Sequence, residues 1–242
     1  MFGSHQFGVS LHFDQIRIET KEDSGLYIYY RTPADITKII SSKSDLLVSP
    51  VEPVTQPAPI TNYLLIEMKS PVFVAPESTT RFFVTFPVEI GIFTQIKKRI
   101  DLGFFDKTET SELMDSFTLT TPKYTLYGTP NKGIICKFWK SEIHTKMPDI
   151  DPLREGTMKI EIQNASNRWG HLTKLVFNAY HMRLYYGKIS YMNAQVKIIN
   201  SKKAETSFKE EPLENMKKAV KLFSSGKIQV MEKETYAMEW GL

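Results

Sequence analysis

Met158-Lys159-Ile160-Glu161-Ile162-Gln163 alternates apolar and polar residues without a break. Tyr191-Met192-Asn193-Ala194-Gln195-Val196-Lys197-Ile198 repeats the pattern, with Met192, Ala194, Val196 and Ile198 as its apolar side. A period of two sends successive side chains to opposite faces of an extended chain, so each stretch reads as a strand with one buried side. Upstream, Phe7, Val9, Leu11 and Phe13 alternate with Gly8, Ser10 and His12, and Ile16 and Ile18 with Arg17 and Glu19. Residues 26–31, 63–68 and 82–93 are apolar on both sides, as central or sheet-crossing strands are. Many short strands between polar turns predict a mainly β fold of two β-sandwich-like lobes.

One C-terminal amphipathic helix is expected over 212–223, where Leu213, Met216, Val220 and Phe223 recur at steps of three and four. Pro212 suits its first turn and Ser224-Ser225-Gly226 its stop. Thr32-Pro33-Ala34-Asp35 reads as the cap of a shorter helix reaching about Ser41. Residues 49–60 hold Pro50, Pro53, Pro57 and Pro59, which predict an extended, polyproline-like path rather than a central strand. Met147-Pro148-Asp149-Ile150-Asp151-Pro152-Leu153 is the expected boundary between an N-terminal β lobe, 1–145, and a C-terminal β lobe, 153–242.

The chain has 242 residues, of which 41% are hydrophobic and 24% charged. These values exclude a disordered chain, a collagen-like repeat and a disulfide scaffold. No run approaches the roughly 20 apolar residues of a membrane span. The opening MFGSHQFGVSLHF lacks a basic segment followed by an apolar one, so a cytoplasmic protein is expected. A single cysteine, Cys136, excludes an intrachain disulfide and a zinc site built on several thiolates. The formal net charge of +4 is far from that of most nucleic-acid binders.

Familiar catalytic strings are missing: no Gly-x-Ser-x-Gly, no phosphate-cradling loop, no His-Glu-x-x-His and no Cys-x-x-Cys. Cys136 shares a strand face with Ile134 and Phe138, which reads as a small core residue. His5, His12, His144, His171 and His181 show no short metal-ligand spacing, so no metal and no cofactor are expected. Carboxylates make the sharper demand. Glu52, Glu67 and Glu89 interrupt strongly apolar runs, and a buried carboxylate needs a cation or hydrogen-bond donors. Glu89 is expected either to pair with Arg31, Arg81 or Lys123, or to serve a ligand. Around a hairpin turn at 128–133, Lys123, Tyr124, Tyr127, Lys137, Trp139 and Lys140 interleave rings with cations. Such a surface can stack bases or hold phosphates and acidic partners, and its residues are also ordinary strand formers. The basic runs Lys97-Lys98-Arg99 and Lys217-Lys218 read as solvated faces.

Ser49-Pro50-Val51-Glu52-Pro53-Val54, Ile60-Thr61-Asn62-Tyr63-Leu64-Leu65-Ile66-Glu67 and Phe86-Pro87-Val88-Glu89-Ile90-Gly91-Ile92-Phe93 resemble a family of archaeal proteins of unknown function. Lys123-Tyr124-Thr125-Leu126-Tyr127-Gly128, Gly133-Ile134-Ile135-Cys136-Lys137-Phe138-Trp139-Lys140-Ser141 and Met238-Glu239-Trp240-Gly241-Leu242 carry the likeness to nearly the whole chain. The resemblance implies Arg where Lys137 stands; lysine keeps the charge and loses the bidentate fork. It also implies an archaeal cytosolic protein, and it supplies no catalytic residues.

The sequence therefore points to a non-catalytic binding protein with a protein partner, its candidate contacts being Glu52, Glu89, Lys123, Tyr127, Lys137 and Trp139. The alternatives are a hydrolase or transferase using Glu52 and Glu89 as acid and base, and an RNA-binding protein using Tyr127 and Trp139 beside a basic stripe.

Overall fold

A computed structural model describes residues 1–42, 44–57, 60–97, 109–223 and 235–242. Its first six strands are β1 (Gly3–His5), β2 (Ser10–Phe13), β3 (Ile16–Asp23), β4 (Leu26–Thr32), β5 (Ile36–Ile40) and β6 (Asp45–Val51). Next come β7 (Tyr63–Val74), β8 (Thr79–Pro87), β9 (Glu89–Lys97), β10 (Glu109–Thr118), β11 (Tyr124–Tyr127) and β12 (Ile134–Ser141). Then follow β13 (Glu155–Asn164), β14 (Gly170–Asn178), β15 (Tyr185–Tyr186) and β16 (Ser190–Ile198). Last are β17 (Ala204–Lys209), β18 (Lys217–Lys218) and β19 (Thr235–Met238). Among the described residues there is no α-helix, only a short 3-10 turn at Ala179–His181. The protein is mainly β, as its alternation predicts.

Two compact units make up the chain: Met1–Ser49 with Ile90–Leu119, and Pro50–Glu89 with Thr120–Leu242. The first holds the antiparallel sheet β2-β3-β4-β5 and the sheet β1-β6-β9-β10. β3 buries Ile16, Ile18 and Thr20 and exposes Arg17, Glu19 and Lys21, so its alternation is used as an in–out code. Asp115 of β10 accepts hydrogen bonds from the Tyr29 hydroxyl at 2.8 Å and from Arg31 Nε at 2.6 Å. The Arg31 guanidinium also lies 5.4 Å from the Phe117 ring centre. Burial, with the Asp115 charge behind it, pushes the Tyr29 hydroxyl well above its ordinary pKa, so it stays a donor.

The second unit holds the sheet β11-β12-β7-β14 and a seven-stranded sheet β18-β15-β16-β13-β8, with β17 on β16 and β19 on β17. β12 runs parallel to β7, and β13 parallel to β16. Met158, Ile160, Ile162, Met192, Ala194, Val196 and Ile198 are all fully buried, which is where period two places them. Side chains of the two sheets meet: Phe177 packs on Phe208 with ring centres 5.4 Å apart, and Trp139 Nε1 donates to Thr85 Oγ1 at 3.0 Å.

The apolar run 82–93 breaks at Val88 and passes from β8 of the seven-stranded sheet into β9 of another, a sheet-crossing strand in two parts. Segment 147–153 lies inside the second unit, between β12 and β13. Asp151 organises its end: the carbonyl accepts from Arg154 N and Glu155 N, and the carboxylate from Leu153 N.

Three expectations need correction. The helix over 212–223 does not form: Asn215 takes a left-handed φ of 62°, and Lys217 and Lys218 pair with Tyr186 and Tyr185 as β18. Ala219 N then donates to Leu184 O, and Leu222 N and Phe223 N donate to the Glu52 carboxylate. The backbone donors a helix would use are taken by a strand edge and a buried acid. The shorter helix after Thr32 is a hairpin turn, with Asp35 at φ 52° and Arg31 facing Ile36 across β4 and β5. Ser49, Pro50 and Val51 belong to β6, which has a neighbour on both sides, so the first proline of the Pro-rich segment closes an inner strand. Pro59, Lys98, Arg99 and the expected stop at Ser224-Ser225-Gly226 lie outside the described residues.

The ladders β7–β14 and β8–β13 both join residues before segment 147–153 to residues after it. A protease nick within that segment should therefore leave two fragments that co-elute on native size exclusion and part only in denaturant. Fragments that separate under native conditions would contradict these pairings.

Candidate functional site

β11 and β12 form the antiparallel hairpin expected around 128–133, with Tyr127 opposite Ile134. Its turn requires glycine at 128: φ is +114°, and a Cβ there would sit 2.7 Å from the Gly133 backbone. Gly133 N and Lys132 N both donate to Thr129 O and close the loop. Lys123, just before β11, extends the same pairing, and Phe138 N donates to Lys123 O at 2.8 Å.

This corner of the second unit is hollow. A groove of about 400 Å³ is lined by Thr120, Thr121, Lys123, Phe138, Trp139 and Lys140. Trp139 is half-buried and fixed by its bond to Thr85, while Lys123 is exposed and has no ion-pair partner among the described residues. Lys140 reaches Glu67 at 3.3 Å with both side chains largely in solvent, a contact worth little that a ligand can displace.

Lys140 also borders a second cavity of about 190 Å³, whose polar walls include Lys69, Thr85, Glu142, His144 and Glu155. Lys69 holds Glu142 at 2.6 Å and draws its pKa below the ordinary value. Burial pushes the Glu155 carboxyl up, and the Asp151 charge adds to the shift.

The other sequence candidates are bound up elsewhere in the second unit. Glu89 is wholly buried and pairs with Lys137, itself 1% exposed, and not with Arg31, Arg81 or Lys123. Its second oxygen accepts from Thr55 N at 2.8 Å and from the Thr55 hydroxyl, while Lys137 Nζ donates to Gln56 O at 3.2 Å. Burial pushes Glu89 up, and Lys137 with the Thr55 donors pulls it back. Arg31 serves Asp115, and Arg81 serves Glu161 at 2.7 Å.

Glu52, 2% exposed, accepts from Leu222 N through both oxygens at 3.1 Å and from Phe223 N at 3.3 Å. Burial raises its pKa against those donors. Glu52 and Glu89 thus answer to separate partners. Tyr127 clasps the end of the chain: its hydroxyl donates to Gly241 O at 3.0 Å and accepts from Trp240 N at 3.1 Å. Of the six candidate contacts, the groove gathers Lys123 and Trp139 and leaves the other four out. Thr120, Thr121 and Phe138 were missed, because nothing in a local pattern marks which strand-end residues border a hollow.

Among the described residues, no group of His, Cys, Asp and Glu could hold a metal ion. A family model described as a protein of unknown function (DUF432) matches residues 1–239. The chain belongs to that family. No curated protein and no solved structure matches it.

Cys136 is fully buried, and burial pushes its thiol up to about 12. A thiol that stays protonated and enclosed reacts slowly. An aromatic disulfide reagent at pH 8 should label none of it in the native protein and one equivalent after unfolding. Rapid native labelling would contradict the buried placement.

Proposed function

We propose that this DUF432 protein is a cytoplasmic binding protein that grips an acidic segment of a protein partner in the groove of Lys123, Phe138, Trp139 and Lys140. The observation that carries this reading is the chemistry of that lining. It offers two ammonium groups, two aromatic rings and two hydroxyls, and no carboxylate, histidine or thiol. Ammoniums and hydroxyls meet carboxylates, and an indole already anchored through Thr85 gives an apolar stem something rigid to lie on. Phe138, Trp139 and Lys140 stand on β12, an inner strand of its sheet, so little order has to be gained on that side of the groove on binding.

RNA binding would use the same ring and lysines. Two cations in one short groove, on a chain of net charge +4, match a short acidic stretch better than a phosphate backbone carrying a charge at every residue. An acid–base enzyme using Glu52 and Glu89 draws no support from their separate partners. A hydrolytic reading rests better on the 190 Å³ cavity, where Glu155 with its raised pKa lies among the same walls as His144.

Calorimetric titration with a glutamate-rich peptide and with a single-stranded RNA of equal charge, each at low and high salt, tests the proposal. The peptide should bind more tightly than the RNA, and Lys123→Glu or Trp139→Ala should each weaken it about tenfold or more, ~1.4 kcal/mol. Tighter RNA binding lost through the same substitutions would transfer the groove to nucleic acid. Peptide binding indifferent to both substitutions would defeat the proposal.

A further inference from the structure

One end of the second unit exposes three large apolar side chains. Phe73 at the end of β7 is 66% exposed, Trp169 just before β14 is 63%, and Ile199 just after β16 is 44%. Isolated exposed apolar residues are ordinary, whereas three on adjoining turns are not. The turns are joined by hydrogen bonds: Glu77 N donates to Ser166 O at 3.2 Å, and Ala165 N to Ile198 O at 3.0 Å.

Asn164 is the hub of this end. It is 1% exposed, and its amide nitrogen donates to Val74 O, Ala75 O and Arg168 O at 2.8–3.1 Å. Its oxygen accepts from Ser166 N and the Ser166 hydroxyl. Packing is tight as well, since a Cβ on Gly170 would lie 2.6 Å from Ile198 Cδ1. Phe73 stacks on His171 with ring centres 4.6 Å apart and planes 22° apart. A frame this well bonded fixes the backbone that carries the apolar side chains.

Charge on the same turns has one dominant sign. Residues 75–78, 165–169 and 199–203 contain Arg168, Lys202 and Lys203 against one acid, Glu77. Lys203 pairs with Glu239 at 2.9 Å. Arg168 and Lys202 have no ion-pair partner among the described residues.

We propose that this end docks on an anionic phospholipid surface, with Trp169, Phe73 and Ile199 entering the interfacial layer and Arg168 and Lys202 meeting headgroup phosphates. Separate exposed apolar side chains with cations on the same turns need no concave partner; a fluid interface closes around each of them. Indole suits that layer, being apolar in body and polar at its N–H. Cations beside it supply attraction to acidic lipid, and one class of contact alone gives only weak anchoring. No described helix is long and apolar enough to cross a membrane; the contact proposed is a peripheral one.

Sedimentation of the whole protein with vesicles of phosphatidylcholine, and of phosphatidylcholine with phosphatidylserine at about 7:3, tests this at low and high salt. Binding should appear on the serine-containing vesicles and weaken several-fold with salt. Trp169→Ala and the pair Arg168→Glu with Lys202→Glu should each cut it several-fold, with far-UV circular dichroism unchanged. Trp139→Ala, in the groove, should leave it intact, so failure here and failure of the groove reading are separable. No binding to either vesicle, or binding indifferent to both sets of substitutions, would overturn the proposal. So would a concentration-dependent dimer abolished by Trp169→Ala, which would make the patch a self-association face.

Discussion

A carboxylate and an ammonium buried together govern the second unit. Glu89 is 0% exposed and Lys137 1%, and taking either charge out of water alone costs several kcal/mol. What makes the pair tolerable is that its remaining valences are filled by Thr55 N, the Thr55 hydroxyl and Gln56 O. The arrangement joins three distant pieces of chain: the turn after β6, the start of β9, and β12 beside Leu64 of β7. The chain first enters the second unit at Pro50, leaves it after Glu89 and returns at Thr120, so the first two of its three transitions lie within a few residues of this network. Apolar packing could fill the same volume, but it could not select Thr55 and Gln56 over their neighbours. A donor set that fits one turn only supplies that selection.

Other polar residues in the interior work in the same way. Asp115 fixes Tyr29 and Arg31 in the first unit, Asn164 ties three turns, Glu52 ends the segment after β18, and Tyr127 holds Trp240 and Gly241. Each is buried and hydrogen-bonded, which gives each an architectural role. Lys123, Trp139 and Lys140 border an open groove, and Phe73, Trp169 and Ile199 stand out from a rigid end.

Strands were legible where apolar residues fall at every second position, as in β3, β13 and β16, although the other face of β16 is buried as well at Tyr191 and Asn193. The hairpin at Gly128 was legible from its turn residues. The false helix over 212–223 shows the limit of periodicity: Leu213, Met216, Val220 and Phe223 are half-buried as a helical stripe would be, yet they flank a turn at 214–215 and the short strand Lys217–Lys218. Its backbone was claimed by Tyr185, Tyr186 and Glu52, residues far away in sequence. Glu89 declared its need for a partner through its apolar surroundings. Lys137, 48 residues on, could not be singled out among the cations, because register between β12 and β7 decides which lysine turns inward. The groove was legible only through its rings and cations. The hollow itself belongs to the packing.

A double-mutant cycle on Glu89 and Lys137 tests the central claim most directly, through equilibrium unfolding of Glu89→Gln, Lys137→Met and the double variant. If the pair is the organising contact, each single change should lower stability by about 3–5 kcal/mol, since it strands a buried charge or donor set. The double change should then be far less damaging than the sum, with a coupling of ~2 kcal/mol or more. Additive losses, or a Glu89→Gln protein as stable as the wild type, would contradict the account.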